Sequence, residues 1–127
     1  MTDALNFFQS ILTFRSLKIE ANRHEIELAE ALRTDALDLA AVGDEEMKNG
    51  LTAQELIMKA ADRPRGRALA EIAAWHYSRA AEKYQRASAG FDQAARIHAV
   101  RRRALRTQST EMTHRAAAAL AAAARLG

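Results

Sequence analysis

The sequence contains no cysteine, a single proline (Pro64) and only five glycines among 127 residues. Without cysteine there is no disulfide, no thiol nucleophile and no Cys-ligated zinc or iron–sulfur centre. Aromatic residues make up 6% of the chain and β-branched runs are absent, so little in it favours strands. Scarce Gly and Pro leave few places to turn. No stretch approaches the roughly 18 consecutive apolar residues that span a bilayer. The start, Met1, Thr2, Asp3, lacks a basic n-region, which predicts no signal peptide and a cytoplasmic location. Neither a Gly-x-Ser-x-Gly elbow nor a glycine-rich phosphate loop occurs, and Gly43, Asp44, Glu45, Glu46 lack the alternating acids of a calcium loop.

What is present is alanine, the best helix former, in a chain that is 49% apolar and 28% charged. That composition fits one globular domain with a modest core. The net charge of +3 hides an asymmetry. Residues 1–62 carry 6 Lys/Arg against 12 Asp/Glu, and residues 63–127 carry 13 against 4. A basic second half fits nucleic acid, an acidic protein surface, or internal pairing with an acidic first helix.

Periodicity predicts the elements. Apolar residues at helical spacing (Phe7, Ile11, Phe14, Leu17, Leu28, Leu32 and Leu39) predict a helix over about 3–42. A second row, Leu5, Leu12, Ile19 and Ile26, lies well round the same helix, so its N-terminal half is apolar on two sides. The uncharged run 4–14 favours a core or oligomer interface over a membrane surface, where Lys and Arg would be expected. Gly43 and Gly50 bound a predicted linker at 43–51. Thr52 and Glu55 form a capping-box pattern that opens a short helix over about 52–62, with Arg63 pushed out of the helix by Pro64.

A long helix is predicted over about 66–107, and an Ala-rich helix over about 109–125. In the long helix a heptad stripe runs Tyr77, Tyr84, Phe91, His98, Leu105 and Met112, flanked by Ala73, Ala80, Ala87 and Ala94. One large residue per heptad beside rows of alanine brings two backbones close together. Tyr77, Tyr84, Phe91, His98 and Trp75 are therefore read as helix-seam or core residues. Glu82–Arg86, Asp92–Arg96 and Glu111–Arg115 are i,i+4 pairs that support the register.

The chemistry-bearing residues are few. Glu111 and His114 form one Glu-x-x-His motif, and Glu20 with His24 could share a ligand face. A di-iron bundle needs two such motifs and two further carboxylates, so no metal, cofactor or catalytic residue is assigned. The basic run Arg96, Arg101, Arg102, Arg103 and Arg106 wraps its helix and is assigned as a partner or nucleic-acid contact. The order of a long helix, a cap at Thr52, Ala53, Gln54, Glu55, Leu56 and a long Ala-rich helix resembles the phasins that coat storage granules. The resemblance covers those five residues, which also form a generic helix cap, and Pro64 with Gly66 interrupts it, so it assigns no family.

The expected fold is all-α: a long helical hairpin or three- to four-helix bundle with a coiled-coil-like seam. The expected function is a non-enzymatic protein–protein interaction or assembly protein (adaptor, chaperone-like or inhibitor) that forms a homo-dimer or higher oligomer. The alternative is a nucleic-acid-associated helical protein using the Arg96–Arg106 region.

Overall fold

The computed structural model describes the backbone of residues 2–127 and the side chains of residues 5–7, 9, 10 and 22–127. Among these it contains three helices and no strand: α1 (Thr2–Ile57), α2 (Arg63–Ile97) and α3 (Arg102–Leu126). The fold is an all-α helical bundle. α2 is its central helix, with α1 packed along one side and α3 along another, while α1 and α3 touch each other little. Both connections are short, so each helix runs antiparallel to the next.

The α1–α2 seam is a row of rings set into a row of missing side chains. On α1, Ala29, Ala36, Gly43 and Gly50 recur every seven residues and face α2. On α2, Tyr77, Tyr84 and Phe91 recur at the same interval and are 1%, 3% and 1% exposed. A Cβ at Gly43 would stand 2.7 Å from Tyr84 Cε1, and one at Gly50 would stand 2.7 Å from Tyr77 Cε1. Each ring thus lies directly on glycine backbone, and the two helices approach closely. Further along, Gly90 sits against Ala36, whose Cβ would be 3.1 Å from an added methyl.

Both phenols find acceptors. Tyr84 donates to Asp44 Oδ1 at 2.5 Å and Tyr77 to Gln54 Oε1 at 2.6 Å. Burial pushes the Tyr84 hydroxyl well above its usual ionisation range. Its bond to the Asp44 carboxylate and that group's charge add to the rise, and Arg115 opposes it. Tyr77 is raised by burial against the opposing field of Arg125.

The α2–α3 seam is built from small residues. Ala80, Ala81, Ala87, Ala94 and Ala95 are fully buried beside Leu105, Met112, Ala116 and Ala119. Ser88 bridges it, with its hydroxyl 2.8 Å from Ser109 and 3.0 Å from Thr113. Two ion pairs tie α1 to the rest of the bundle: Arg101, in the turn before α3, to Glu30 at 3.2 Å, and Arg115 of α3 to Asp44 at 3.3 Å.

Several element boundaries differ from those predicted. The linker at 43–51 is helical, because Gly43 and Gly50 are seats for tyrosine rings, and α1 continues to Ile57. The separate helix at 52–62 is the last turn of α1 followed by the chain reversal. Thr52 is not a cap, since its hydroxyl donates back to Lys48 O at 3.0 Å. Arg63 begins α2 rather than standing outside it. Asp62 is the N-cap, accepting from the Arg65 amide at 2.8 Å, and Pro64 fits the first turn, where its missing N–H costs nothing.

The predicted helix at 66–107 breaks at 98–101, so His98 is a C-cap residue rather than a seam residue. The heptad phase resumes with Leu105 and Met112 after the turn, which concealed the break. On α1 the Ala/Gly row is the most buried; Leu32 and Leu39 of the predicted apolar face pack against the core beside it, whereas Leu28 is 53% exposed. The rings of α2 already fill the space between the helices, so α1 needs small residues there. The side chains of Ile11, Phe14, Leu17, Leu12 and Ile19 lie outside the described residues. Trp75, read as core, is 55% exposed. Of the three i,i+4 pairs only Arg115–Glu111 closes, at 2.7 Å.

Candidate interaction sites

The basic run assigned from the sequence divides by structural role. Arg101 pairs with Glu30. Arg102 Nε donates to Ala95 O at 3.0 Å and so satisfies one of the last carbonyls of α2. Both therefore belong to the corner itself. Arg96, Arg103 and Arg106 are exposed, and no guanidinium among them has a hydrogen bond or ion pair within the described residues. Arg103 and Arg106 are brought together on the outer face of α3; Arg96 stays on α2.

The outer face of α3 carries a groove of about 700 Å³, lined among others by Arg102, Arg103, Arg106, Thr107, Thr110 and His114. Its floor is the two threonines, whose hydroxyls donate to Arg103 O and Arg106 O. One carboxylate, Glu111, also lines it, and that group is held by Arg115. Glu111 and His114 share this groove, but among the described residues no three His, Asp or Glu side chains come together to hold a metal ion. The side chain of Glu20, paired with His24 in the sequence reading, lies outside the described residues.

The helix entering this corner is unusually capped. Arg101 occupies the N-cap of α3 without a side-chain hydrogen bond, and the first turn contains no acid. Cations at a helix N-terminus oppose the helix dipole by a few tenths of a kcal/mol to about 1 kcal/mol each. α2, by contrast, begins under Asp62.

A second surface lies at the other end of the molecule. Ile72 and Trp75 are 47% and 55% exposed on α2. The Arg79 guanidinium lies 4.8 Å from the Trp75 ring centre, and His76 meets that ring edge-on at 4.9 Å. Glu46 holds this group from α1. It lies 2.6 Å from His76 Nδ1 and 3.6 Å from Arg79 Nε, the latter an ion-pair rather than a hydrogen-bond distance. Sequence reasoning missed the patch because Trp75 lies two residues before the stripe, where neither the heptad nor the small-residue row marks its orientation.

The third is the N-terminal part of α1. No described side chain before Ala29 is buried. Leu5, Phe7, Ile26 and Leu28 are 64%, 64%, 47% and 53% exposed. Arg101, in the turn that ends α2, reaches Glu30, so α1 runs on past that turn for its first 27 or so residues, roughly 40 Å. Among the described residues no helix is long and apolar enough to cross a membrane.

Comparison with protein-family models, with curated proteins and with solved structures gives no match.

Proposed function

We propose that the protein is a non-enzymatic assembly protein of the cytoplasm, in which the bundle is a rigid mount and the N-terminal arm of α1 pairs with the arm of a second copy. One observation carries this reading: α1 outruns the bundle by about 40 Å, with exposed Leu5, Ile26 and Leu28 along it. Helices in proteins owe most of their stability to packing of an apolar face, and no described side chain of this arm is buried within the chain. Leu5, Leu12, Ile19 and Ile26 repeat every seven residues in the sequence, the spacing that suits helix-to-helix pairing. Full burial of each aliphatic side chain contributes about 1.5–3 kcal/mol, so four per arm are enough to offset the cost of association.

Sedimentation equilibrium tests it. The wild type is expected to show a concentration-dependent oligomer. Leu5→Glu with Ile26→Glu is expected to leave a folded monomer, because neither residue belongs to the bundle core. A wild type that stays monomeric across the accessible concentration range refutes arm pairing.

A further inference from the structure

We infer that α3 exchanges between two copies of the chain: the turn at 98–101 straightens, α2 and α3 become one helix, and each α3 packs on the α2 of its partner. The inference is independent of arm pairing. It starts from the turn itself. His98, Ala99, Val100 and Arg101 include no Gly, Pro, Asn or Asp, and none has a positive φ. α3 starts at Arg101 without a side-chain cap. No local signal therefore fixes a reversal here. The contacts that hold it are Arg102 Nε to Ala95 O and Arg101 to Glu30. In a continuous helix Ala95 O accepts the Ala99 amide instead, which replaces the first of these.

Helical phase agrees. Tyr77, Tyr84 and Phe91 before the turn and Leu105, Met112 and Ala119 after it are all buried, and His98 completes an unbroken interval of seven. A turn resets the phase unless its length preserves it. Because it is preserved, the straight helix presents the same residues as one continuous seam. α3 also packs along α2 while touching α1 little, so it can leave without opening the α1–α2 seam. The place it vacates is specific. The Ser88 hydroxyl lies within hydrogen-bond reach of both Ser109 and Thr113, beside buried alanines that meet Leu105, Met112, Ala116 and Ala119. The segment with that surface is α3 of a second copy, and two reciprocal exchanges close a symmetric dimer.

The arm of α1 matches the straightened form. Gly43 lies against Tyr84 and Gly50 against Tyr77, which sets the antiparallel register of α1 on α2. Carried past the turn, that register places Glu25 opposite Arg102 and Thr2 opposite Arg125. The arm is therefore as long as α3, and its acidic end, Glu25 and Glu27, comes opposite the basic stretch Arg101 to Arg103. Leu28 is 53% exposed and continues the row of Leu32 and Leu39, which pack against the core. In the straightened form that row gains a neighbouring helix along its whole length. The separate row through Leu5 and Ile26 stays available for arm pairing.

Hinge variants test the exchange, made in the Leu5→Glu, Ile26→Glu chain to remove arm pairing. Each is refolded at high concentration and followed by size-exclusion chromatography with light scattering. His98→Ala with Val100→Ala favours the straight helix at two hinges per dimer and should raise the association constant about tenfold or more. Ala99→Gly with Val100→Gly should lower it by a similar factor. Equal association in the two variants, or none in either, overturns the inference. A cross-link then reads which copy supplies α3, since the chain has no cysteine of its own. Ser88→Cys and Ser109→Cys are placed in separate chains, refolded together and oxidised. A disulfide joining the two chains is expected, with a yield that follows the hinge. If the pair closes within a doubly substituted chain but never between singly substituted chains, α3 does not exchange.

Discussion

Gly43→Ala provides a strict test of the α1–α2 seam, because two opposing effects are known in size. In the interior of a helix, replacing Gly by Ala contributes about 1 kcal/mol of stability through backbone entropy and propensity. Gly43 lies in the interior of α1 with no positive φ, so that gain is available in full. Against it stands a Cβ only 2.7 Å from Tyr84 Cε1 and 2.9 Å from Cδ1. Carbon atoms settle at about 3.5–4.0 Å, so ring and backbone must separate by close to 1 Å. The ring cannot simply swing away: it is 3% exposed and its hydroxyl is tied to Asp44. Overpacking of this kind costs about 1–3 kcal/mol, and the lost phenol bond adds up to roughly 1 kcal/mol. The net expectation is a destabilisation of up to about 3 kcal/mol, in place of the usual gain, seen as a lower urea midpoint with an unchanged m-value. Gly66→Ala is the internal control. Its Cβ would meet nothing nearer than Ala60 Cβ at 3.9 Å, so it should stabilise by up to about 1 kcal/mol. In a Tyr84→Leu background the Gly43→Ala penalty should largely disappear, giving a coupling energy of at least about 1 kcal/mol. If Gly43→Ala gains stability as Gly66→Ala does, the close approach of α1 and α2 is refuted.

Two further outcomes follow from groups at known positions. Tyr77 and Tyr84 both ionise less readily in the fold than the usual 10.0, so the fold holds them neutral. Their contribution is fully present below pH 10 and declines as pH rises toward the folded values, by roughly 1.4 kcal/mol per tyrosine per pH unit. Phenolate absorbance should therefore appear together with loss of helix, and phenolate forming in a still-helical protein would contradict their burial. Asp62→Ala should cost about 0.5–2 kcal/mol of stability, read by thermal melting, by removing the acceptor for the Arg65 amide; Asp62→Asn should restore most of it.

The seam was legible in the sequence where side chains are large. Tyr77, Tyr84 and Phe91 are as buried as their period implied, and the neighbouring alanines do admit a close helix. What they packed against was not legible, because Gly43 and Gly50 resemble turn residues to any reading that treats glycine as a break. Only the shared interval of seven, running through Ala29 and Ala36, distinguishes a notch from a hinge, and it becomes informative once the opposing ring is known. The turn at 98–101 was hidden for the converse reason. His98, Ala99, Val100 and Arg101 include no residue that favours turns, and the reversal is held by Arg102 capping α2 and by the pairing of Arg101 with Glu30. Those are long-range contacts, invisible to local pattern. The basic run was visible as charge, but its division into corner residues and free ones depends on where α1 places Glu30.

The ring-and-notch register sets how the architecture can change length. Each notch sits two turns from the next, and each ring on α2 keeps the same interval while its other face is locked to α3 through Ser88 and the buried alanines. A deletion between these notches and the α1–α2 turn of any size but seven slides the Tyr77 and Tyr84 rings off their glycine seats. A deletion of seven in α1 needs a matching seven in α2, and then in α3. The three helices are thus coupled like the teeth of one rack: the bundle grows or shrinks in whole steps.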